Sequence, residues 1–324
     1  MMDFRTKTDL PESFPQMAHS DKLLMLGSCF AENVGSRLSQ RIFDVIVNPF
    51  GTLYNPASIA DALRRMLDCR LLSQDDFFLH AGQWRSFSLH SRLASAFPDK
   101  ALAAANESIS AGAARLRDAR FLILTFGTAY VFRLKATGAT VANCHKLPST
   151  SFSRQLLSTD EITDEWLPLL DRLHAVNPQM QIVFTVSPVR HLADGAHGNQ
   201  ISKSTLLLAT EKLIAGRDYC HYFPAYEIVL DELRDYRFFA ADMAHPSETA
   251  VDYVFEQFAA TAFPDDTCRK ALRCEKLTRL LSHRPMTDNP DDIRRLQESA
   301  RRMADDIERE MPYTKHIIEK FQKK

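Results

Sequence analysis

The sequence predicts an α/β fold in which a parallel sheet is covered by helices on both faces. Three observations support this: short apolar runs recur along the chain, segments with helical spacing lie between them, and glycine or proline turns separate the two. Apolar runs without polar alternation are typical of parallel strands that are buried on both sides. Strands that alternate with helices in this way build a parallel sheet.

The first strand and the first helix meet at Gly27-Ser28. Residues 23–26 form an apolar run, and apolar residues with helical spacing follow at once: Phe30, Val34 and Leu38. Gly27 permits a tight turn, so Ser28 falls at the carboxyl end of the strand, beside the unpaired N–H groups of the new helix. Its hydroxyl fits a helix cap, and it equally fits a nucleophile with oxyanion donors beside it.

The remaining elements are predicted from the same signals. Apolar runs predict further strands at 45–47, 121–126, 181–186 and 219–223. Helical spacing predicts helices at 57–72, 101–117, 158–176, 204–214 and 225–233, and another that begins after its cap, Ser247. Other segments are less regular: a loop or short strands at 75–100, a strand or hairpin around Gly138 at 130–145, and a glycine-containing loop at 192–203.

The composition shifts beyond Pro264, where the chain becomes charged and helical. This shift predicts an α/β domain over residues 20–263 and a C-terminal helical extension over 264–324. Two helices are expected in the extension, at about 266–282 and 291–310. The extension is expected to pack on the domain or on a partner.

The overall composition argues against several classes of protein. The 324 residues are 45% hydrophobic and carry a net charge of −1, which offers no electrostatic case for nucleic-acid binding. No apolar run approaches the ~20 residues of a membrane span, and the charged N-terminus lacks the apolar centre of an export signal. We therefore expect a cytoplasmic protein. The six dispersed cysteines, without a Cys-x-x-Cys pair, are expected to be free thiols; the oligomeric state is left open.

The histidines give little support for a metal site. His80 and His90 have no carboxylate at helical spacing to complete a ligand set. His191, Asp194 and His197 recur every three residues, but the glycines among them argue against the helix that a metal-binding face would need. We expect neither a metal nor a cofactor.

Asp242 and His245 lie in a loop just before a helix start, a usual place for functional groups. Ligands of parallel sheets bind at the carboxyl ends of the strands, and Ser28 and three further turns all follow strands: the Gly51 loop, the Gly127 turn and the Pro188–Arg190 segment. A serine hydroxyl needs an imidazole to take its proton and a carboxylate to orient that imidazole. Ser28, His245 and Asp242 supply the three groups that serine hydrolysis requires.

Several motifs resemble one known family. Gly27-Ser28-Cys29-Phe30-Ala31 is similar to the pentapeptide that names the GSCFA domain family. Further motifs of the same family follow in order along the chain, at 48–56, 142–148, 186–191 and 242–248. The resemblance covers roughly residues 20–260.

The GSCFA family is in turn similar to the SGNH/GDSL hydrolases, and this implies more than the local patterns do. The implied fold is a flavodoxin-like three-layer α/β/α sandwich. The implied site is a catalytic triad, with Ser28 as nucleophile, His245 as general base and Asp242 as the carboxylate that orients it. Gly51 would give a backbone N–H to the oxyanion hole.

Two positions depart from the SGNH pattern. Gly27-Ser28-Cys29 replaces Gly-Asp-Ser, and Gly127-Thr128 occupies the block that normally carries an asparagine. Three side chains remain as candidates for the missing oxyanion donor: Thr128, Asn55 and Asn143. Asn55 is also placed to cap the helix that follows it, and Cys29 is a rival nucleophile to Ser28.

Other residues are candidates for substrate contact. They belong to the Gly127 turn, to the motif around 142–148 and to the segment after the fourth strand: Gly127, His145 and Arg190. The loop from His80 to Arg92 is a further candidate.

Two functions remain open at this point. The first is a serine esterase or O-acyltransferase that acts on short acyl esters, such as acetyl groups on carbohydrate, and passes the acyl group to water or to an acceptor hydroxyl. The second is a non-catalytic module that binds carbohydrate or another ligand on the same fold. A phosphate-binding role for the helix start at Ser28 is less favoured, because no Gly-rich phosphate loop is present.

Overall fold

Strands and helices alternate along the chain in the computed structural model, which describes residues 6–283 and 289–322. The strands are β1 (Lys22–Gly27), β2 (Asp44–Val47), β3 (Phe78–His80), β4 (Gln83–Arg85), β5 (Phe121–Phe126), β6 (Tyr130–Leu134), β7 (Thr140–Val141), β8 (Phe152–Leu156), β9 (Gln181–Val186) and β10 (Cys220–Tyr222). The helices are α1 (Cys29–Gln40), α2 (Pro56–Leu67), α3 (Pro98–Asp118), α4 (Thr159–Val176), α5 (Gly195–Ile214), α6 (Ala225–Glu227), α7 (Glu248–Ala262), α8 (Asp265–Ser282), α9 (Pro290–Glu310) and α10 (Lys315–Gln322).

The main sheet has five parallel strands in the order β2-β1-β5-β9-β10. Numbered by their order within this sheet, the strands run 2-1-3-4-5, which is the order of flavodoxin-like folds. In such a sheet the carboxyl ends of all the strands meet at one edge, and the order reverses beside β1. The predicted α/β fold with a central parallel sheet is confirmed.

The sheet is buried on both faces, which explains its continuous apolar runs. Within β1, Leu24 and Leu26 pack with the helices of one face, α2 to α5. Leu23 and Met25 point to the other face, where they pack with α1 and α7. Side chains alternate between the faces of a strand, so one apolar run supplies both cores. The three-layer α/β/α arrangement is therefore confirmed.

Gly27 ends β1 at a very close approach between neighbouring strands. A Cβ atom on Gly27 would lie 2.3 Å from the carbonyl oxygen of Thr125, and the residue has a φ of +148°. Its N–H donates to Asn48 Oδ1 at 2.8 Å, and its carbonyl accepts from Leu53 N at 2.9 Å. These contacts fix the direction in which the chain enters α1, and therefore also the position of Ser28.

Two small antiparallel units lie outside the main sheet. The segment 75–100 contains the hairpin of β3 and β4, and Gly138 lies in the turn between β6 and β7, which form a three-stranded sheet with β8. Both agree with the short strands and the hairpin that the sequence predicts.

The segment 192–203 differs from the sequence prediction. A loop was expected there because of Gly195 and Gly198, but α5 begins at Gly195 and includes the whole second half of that segment. The buried face of this first part of α5 carries Asn199, Ser202 and Lys203, whose side chains bond to the ends of neighbouring strands. Tertiary hydrogen bonds thus outweigh the low helix propensity of glycine.

The C-terminal helices pack against α1. Thr278 Oγ1 donates to the carbonyl of Gln40 at 2.6 Å, and Arg41 pairs with Glu275 at 3.0 Å. A small core joins Ile42, which follows α1, to apolar residues of α8, α9 and α10. The two predicted helices are present and α10 is an addition to them; the division of the chain at residue 264 stays a prediction.

No helix among residues 6–283 and 289–322 combines the length and the apolarity needed to cross a bilayer. All six cysteines lie within these ranges, and none is paired with another.

Replacing Gly27 with alanine tests the close approach at the end of β1. The new methyl group would collide with the backbone of Thr125, so we expect Gly27→Ala to lower the free energy of unfolding by at least about 3 kcal/mol. Gly138→Ala is the matched control, because Gly138 has a positive φ but open space around it; its strain alone should cost about 1 kcal/mol. Urea unfolding measures the free energy of unfolding of both variants. Equal losses of that free energy in Gly27→Ala and Gly138→Ala would contradict the close approach as the cause.

Candidate active site

The ends of three parallel strands come together around Ser28. Ser28 follows β1, Gly127 follows β5 and Ser187 follows β9. A Cβ atom on Gly127 would lie 3.3 Å from the Cβ of Ser28, and the N–H of Gly127 donates to the carbonyl of Tyr54 at 2.8 Å. The expected meeting of these turns at one edge of the sheet is therefore seen.

Ser28 is the N-terminal cap of α1. Its Oγ accepts a hydrogen bond from the N–H of Phe30 at 3.3 Å, and its own N–H donates to the carbonyl of Thr125 at 3.3 Å. The residue is only 1% exposed. The hydroxyl thus lies at the positive end of a twelve-residue helix, which stabilises negative charge on oxygen atoms placed beside it.

Asp242 and His245 form a compact turn. Asp242 Oδ2 and His245 Nδ1 are 2.6 Å apart, while Oδ1 accepts from the N–H groups of His245 at 3.0 Å and Ala244 at 2.9 Å. These two backbone hydrogen bonds and the bond to the imidazole lower the pKa of Asp242 to about 2. The carboxylate therefore stays charged and holds the ring by Nδ1, so that Nε2 faces away from it.

The Asp242–His245 turn is tied to the segment that follows β9. The N–H of Arg190 donates to the carbonyl of Ala244 at 2.9 Å, and the N–H of Ala240 donates to the carbonyl of His245 at 2.7 Å. His245 is also close enough to His191 to depress the pKa of that imidazole. The turn thus lies at the same edge of the sheet as Ser28.

The hydroxyl and the imidazole are not joined in the described chain. The side-chain bond of Ser28 is the cap to Phe30, whereas the His245 side chain is half-exposed and bonds to Asp242. Catalytic hydrogen bonds in proteins without substrate are often long and close only when substrate binds. Of the predicted triad, the structure shows the contact between Asp242 and His245 and no hydrogen bond between Ser28 and His245.

Gly51 lies in a turn that is closed by a hydrogen bond from its own backbone N–H. The N–H of Gly51 donates to the carbonyl of Asn48 at 2.8 Å, and a Cβ atom on Gly51 would lie 2.3 Å from the Cβ of His90. Its role is to let the 90–92 segment approach closely. An oxyanion role would require this turn to open.

Asn55 and Thr128 both serve local structure. Asn55 caps α2, because its Oδ1 accepts from the N–H of Ser58 at 2.8 Å. The Thr128 hydroxyl lies 3.0 Å from Ser202 Oγ and also accepts from the N–H of Tyr130. Asn55 retains its Nδ2 group as a potential donor, whereas the Thr128 hydroxyl is already engaged.

Asn143 and His145 help to hold the segment 75–100 in place. Asn143 Oδ1 accepts from the N–H of His145, and the buried His145 ring contacts the carbonyl of Ser86 at 2.7 Å and Ser91 Oγ at 3.3 Å. These bonds hold the residues next to Gly51 in place. The His145 ring therefore supports the segment 75–100 directly, and Asn143 does so through the backbone of His145.

The segment 75–100 also contacts the first turn of α1. Arg92 pairs with Glu32 at 2.5 Å and also donates to the carbonyl of Asn48, and Thr52 Oγ1 donates to Glu32 at 3.1 Å. The His80–Arg92 loop, predicted as a substrate-contact segment, thus ends one helical turn from Ser28.

Cys29, the rival nucleophile, is poorly activated. Burial raises the pKa of its thiol, and this effect outweighs the hydrogen bonds from the backbone N–H groups of Cys29 and Phe30, which act in the opposite direction. The thiolate is the nucleophilic form of cysteine, so a raised pKa disfavours attack by this residue.

Lys203 is an important residue that the sequence analysis missed. It is 0% exposed, and its Nζ donates to the carbonyls of Gly127 at 2.5 Å and Ser187 at 2.6 Å. Burial, with a smaller effect of Arg190, lowers its pKa to about 7. The signal was the helical spacing that extends back from Leu206 to Lys203, hidden by the expectation of a loop.

Arg190, His191 and Asn199 also lie at this edge, and only Arg190 was predicted as a site residue. Arg190 Nε, His191 Nε2 and Asn199 Nδ2 are buried without a hydrogen-bond partner. Burial above all, together with the nearby Lys203, lowers the pKa of His191 to about 4. Asp194, the carboxylate three residues after His191, pairs with Arg154.

Among solved structures, this chain is distantly similar to an acetyl xylan esterase, Est2A, from the rumen bacterium Butyrivibrio proteoclasticus, with 13% sequence identity and a TM-score of 0.38. The alignment covers 75% of this chain and 64% of that one. No curated protein matches the sequence.

A sequence model of the GSCFA family matches residues 22–258, which is most of the chain. The match includes β1, α1 and the Asp242–His245 turn. This chain belongs to the GSCFA family.

Proposed function

We propose that this protein is a serine esterase or O-acyltransferase of the SGNH type. Ser28 is the nucleophile, His245 the general base and Asp242 the carboxylate that orients it. The observation that carries the proposal is the Asp242–His245 turn, in which a charged carboxylate holds Nδ1 at 2.6 Å and leaves Nε2 available. The same pairing orients the imidazole in serine hydrolases of unrelated folds.

The reaction proceeds in two steps. As Ser28 Oγ attacks the ester carbonyl, His245 Nε2 takes its proton, and the same imidazole then protonates the alcohol that leaves. The bond between the carbonyl carbon and the alcohol oxygen breaks, and an acyl group stays on Ser28. Water or an acceptor hydroxyl then attacks this acyl-enzyme with His245 again as base, which restores Ser28.

The N-terminus of α1 and the side chain of Asn55 support the developing oxyanion in this proposal. The positive end of α1 lies at Ser28. Residues 53–55 run beside the nucleophile, because Leu53 bonds to Gly27 and Tyr54 bonds to Gly127. We assign Asn55 Nδ2 as the side-chain donor in place of the asparagine missing after Gly127.

The proposed substrate is a short acyl ester, in particular an acetyl ester of a carbohydrate. Its non-reacting part is expected to contact Arg190 and the loop that ends at Arg92. The family likeness to the SGNH hydrolases suggests this substrate class.

A second candidate is a non-catalytic binding module on the same fold. The observations that favour it are the burial of Ser28, whose hydroxyl already caps α1, and the use of the Gly51 amide within its own turn. The experiments below separate the two candidates.

Removing the nucleophile or the base is the first test. Ser28→Ala and His245→Ala are each expected to lower kcat for p-nitrophenyl acetate by at least about 10³-fold, because each group acts in the bond-forming step. Ser36→Ala, at an exposed position of the same helix, is the control and should hydrolyse the ester like the wild type. Turnover that persists without Ser28 would exclude it as the nucleophile, and no turnover in the wild type would favour the binding module.

Asp242→Asn tests the orienting carboxylate. The amide oxygen can still accept from the backbone of the turn, but the charge beside the imidazole is lost, so kcat should fall by about 10²- to 10⁴-fold with little change in stability. Asp231→Asn removes an exposed carboxylate that pairs with Arg234 and should leave kcat unchanged. A kcat of Asp242→Asn equal to that of the wild type would show that the turn is only structural.

Asn55→Asp separates capping from oxyanion binding. Aspartate caps helices as well as asparagine does, so the free energy of unfolding should change little. The Nδ2 donor is lost and a negative charge faces the oxyanion, so kcat should fall by about 10²- to 10³-fold. Steady-state kinetics and urea unfolding of the same sample measure both effects. Unchanged kcat would remove Asn55 from the oxyanion hole.

A further inference from the structure

Four side chains lie close together at the carboxyl end of β9, at a site named here the β9 pocket: Arg190, His191, Asn199 and Lys203. The first two follow β9, and the other two lie one turn apart on the buried face of α5. Three of the four carry a buried nitrogen without a hydrogen-bond partner, namely Arg190 Nε, His191 Nε2 and Asn199 Nδ2. Buried polar groups in proteins normally have hydrogen-bond partners, so three unpartnered nitrogens in one place are unusual.

Asn199 shows that the pocket is built in a specific way. The residue is 0% exposed, and its Oδ1 accepts from the N–H of His191 at 2.8 Å. This bond fixes the orientation of the amide, so Nδ2 is the donor without a partner. An unpaired buried amide costs about 1–3 kcal/mol of stability, which a bound acceptor would recover.

The charges of the pocket are also uncompensated. Arg190 forms no ion pair within the described residues, and the buried ammonium of Lys203 has only carbonyl partners. The two cations are close enough for Arg190 to lower the pKa of Lys203. Like charges held together in a buried site are unfavourable unless an anion joins them.

The carboxylates of the surrounding elements are already engaged. Asp194 pairs with Arg154, Asp242 with the His245 imidazole, and Glu227 accepts from the Tyr222 hydroxyl. None of them pairs with Arg190 or Lys203 among the described residues. An anion that enters from solvent can therefore supply the counter-charge.

We propose that the β9 pocket binds an anionic oxygen group of the substrate, a carboxylate or a phosphate. The guanidinium of Arg190 and the ammonium of Lys203 supply the charge, while the Asn199 amide and the His191 imidazole supply neutral donors. Guanidinium groups suit such anions because their N–H groups match two oxygens at once.

The pocket lies next to the proposed catalytic residues. Arg190 bonds through its backbone to Ala244, the residue before His245, and His191 lies within electrostatic range of His245. A substrate anchored there would present its ester beside the nucleophile. This use of the pocket rests on the proposed esterase or acyltransferase function, whereas anion binding by itself does not.

Titration calorimetry with inorganic phosphate, and separately with sodium acetate, tests the binding. The wild type is expected to bind at least one of the two, and Arg190→Met should lose about 10- to 100-fold in affinity. Arg234→Met is the matched control, because Arg234 is exposed and pairs with Asp231, and it should bind like the wild type. Binding of phosphate alone assigns a phosphate-bearing substrate, and binding of acetate alone assigns a carboxylate. No binding of either ion, or equal binding by Arg190→Met, would overturn the proposal.

Asn199→Asp gives a readout that needs no ligand. The aspartate keeps the Oδ1 acceptor for His191 and places a negative charge where the unpartnered Nδ2 was. We expect this variant to unfold at a higher temperature than the wild type and to lose its response to phosphate and acetate. A lower unfolding temperature with an unchanged response to the ions would contradict an anion site.

Ester hydrolysis connects the pocket to the reaction. The test compares kcat/KM for a neutral ester, p-nitrophenyl acetate, with kcat/KM for two anionic esters. p-Nitrophenyl hemisuccinate carries a carboxylate on its acyl chain, and acetylsalicylate carries one on its alcohol. The ratio of anionic to neutral ester should fall in Arg190→Met for at least one anionic ester. Hydrolysis by wild type without any effect of Arg190 on this ratio overturns the substrate role alone. Ion binding that depends on Arg190, without hydrolysis of any ester, overturns the esterase proposal and leaves the anion site standing.

Discussion

The buried ammonium of Lys203 holds the two halves of the candidate active site together. It donates to the carbonyl of Gly127, whose backbone packs against Ser28, and to the carbonyl of Ser187, which leads to Arg190. Arg190 in turn bonds to the turn that carries His245. The positions of Ser28 and His245 relative to each other therefore depend on an amino group with no contact to solvent, and its burial also explains why the pKa of Lys203 falls to about 7.

The sequence predicted the parts of the fold that depend on local patterns. The runs of β1, β5 and β9 were recognisable because strands buried on both faces contain almost only apolar residues. The start of α5 was missed, because Gly195 and Gly198 have low helix propensity and the bonds that outweigh it come from distant strands. Asn199 and Lys203, the two groups that make this edge unusual, lie in that segment.

The same limit applied to the site residues. Ser28 and the Asp242–His245 turn could be predicted because their places next to helix starts are visible in the sequence and because the motifs around them resemble those of the GSCFA family. The partners of Thr128 and His145 are far away along the chain, at Ser202 and Ser86, so their structural roles were not visible. Asn55 fitted both a cap and a catalytic group; its capping bond to Ser58 is present, and the catalytic role remains our proposal.

The most direct test of the account is to trap the acyl-enzyme. Wild-type protein mixed with p-nitrophenyl acetate and quenched in acid should gain the mass of one acetyl group, and peptide fragmentation should locate this group on Ser28. The same treatment of Ser28→Ala should leave the peptide unmodified. An acetyl group on the neighbouring Cys29, or nitrophenol release by Ser28→Ala at the wild-type rate, would contradict a mechanism based on Ser28.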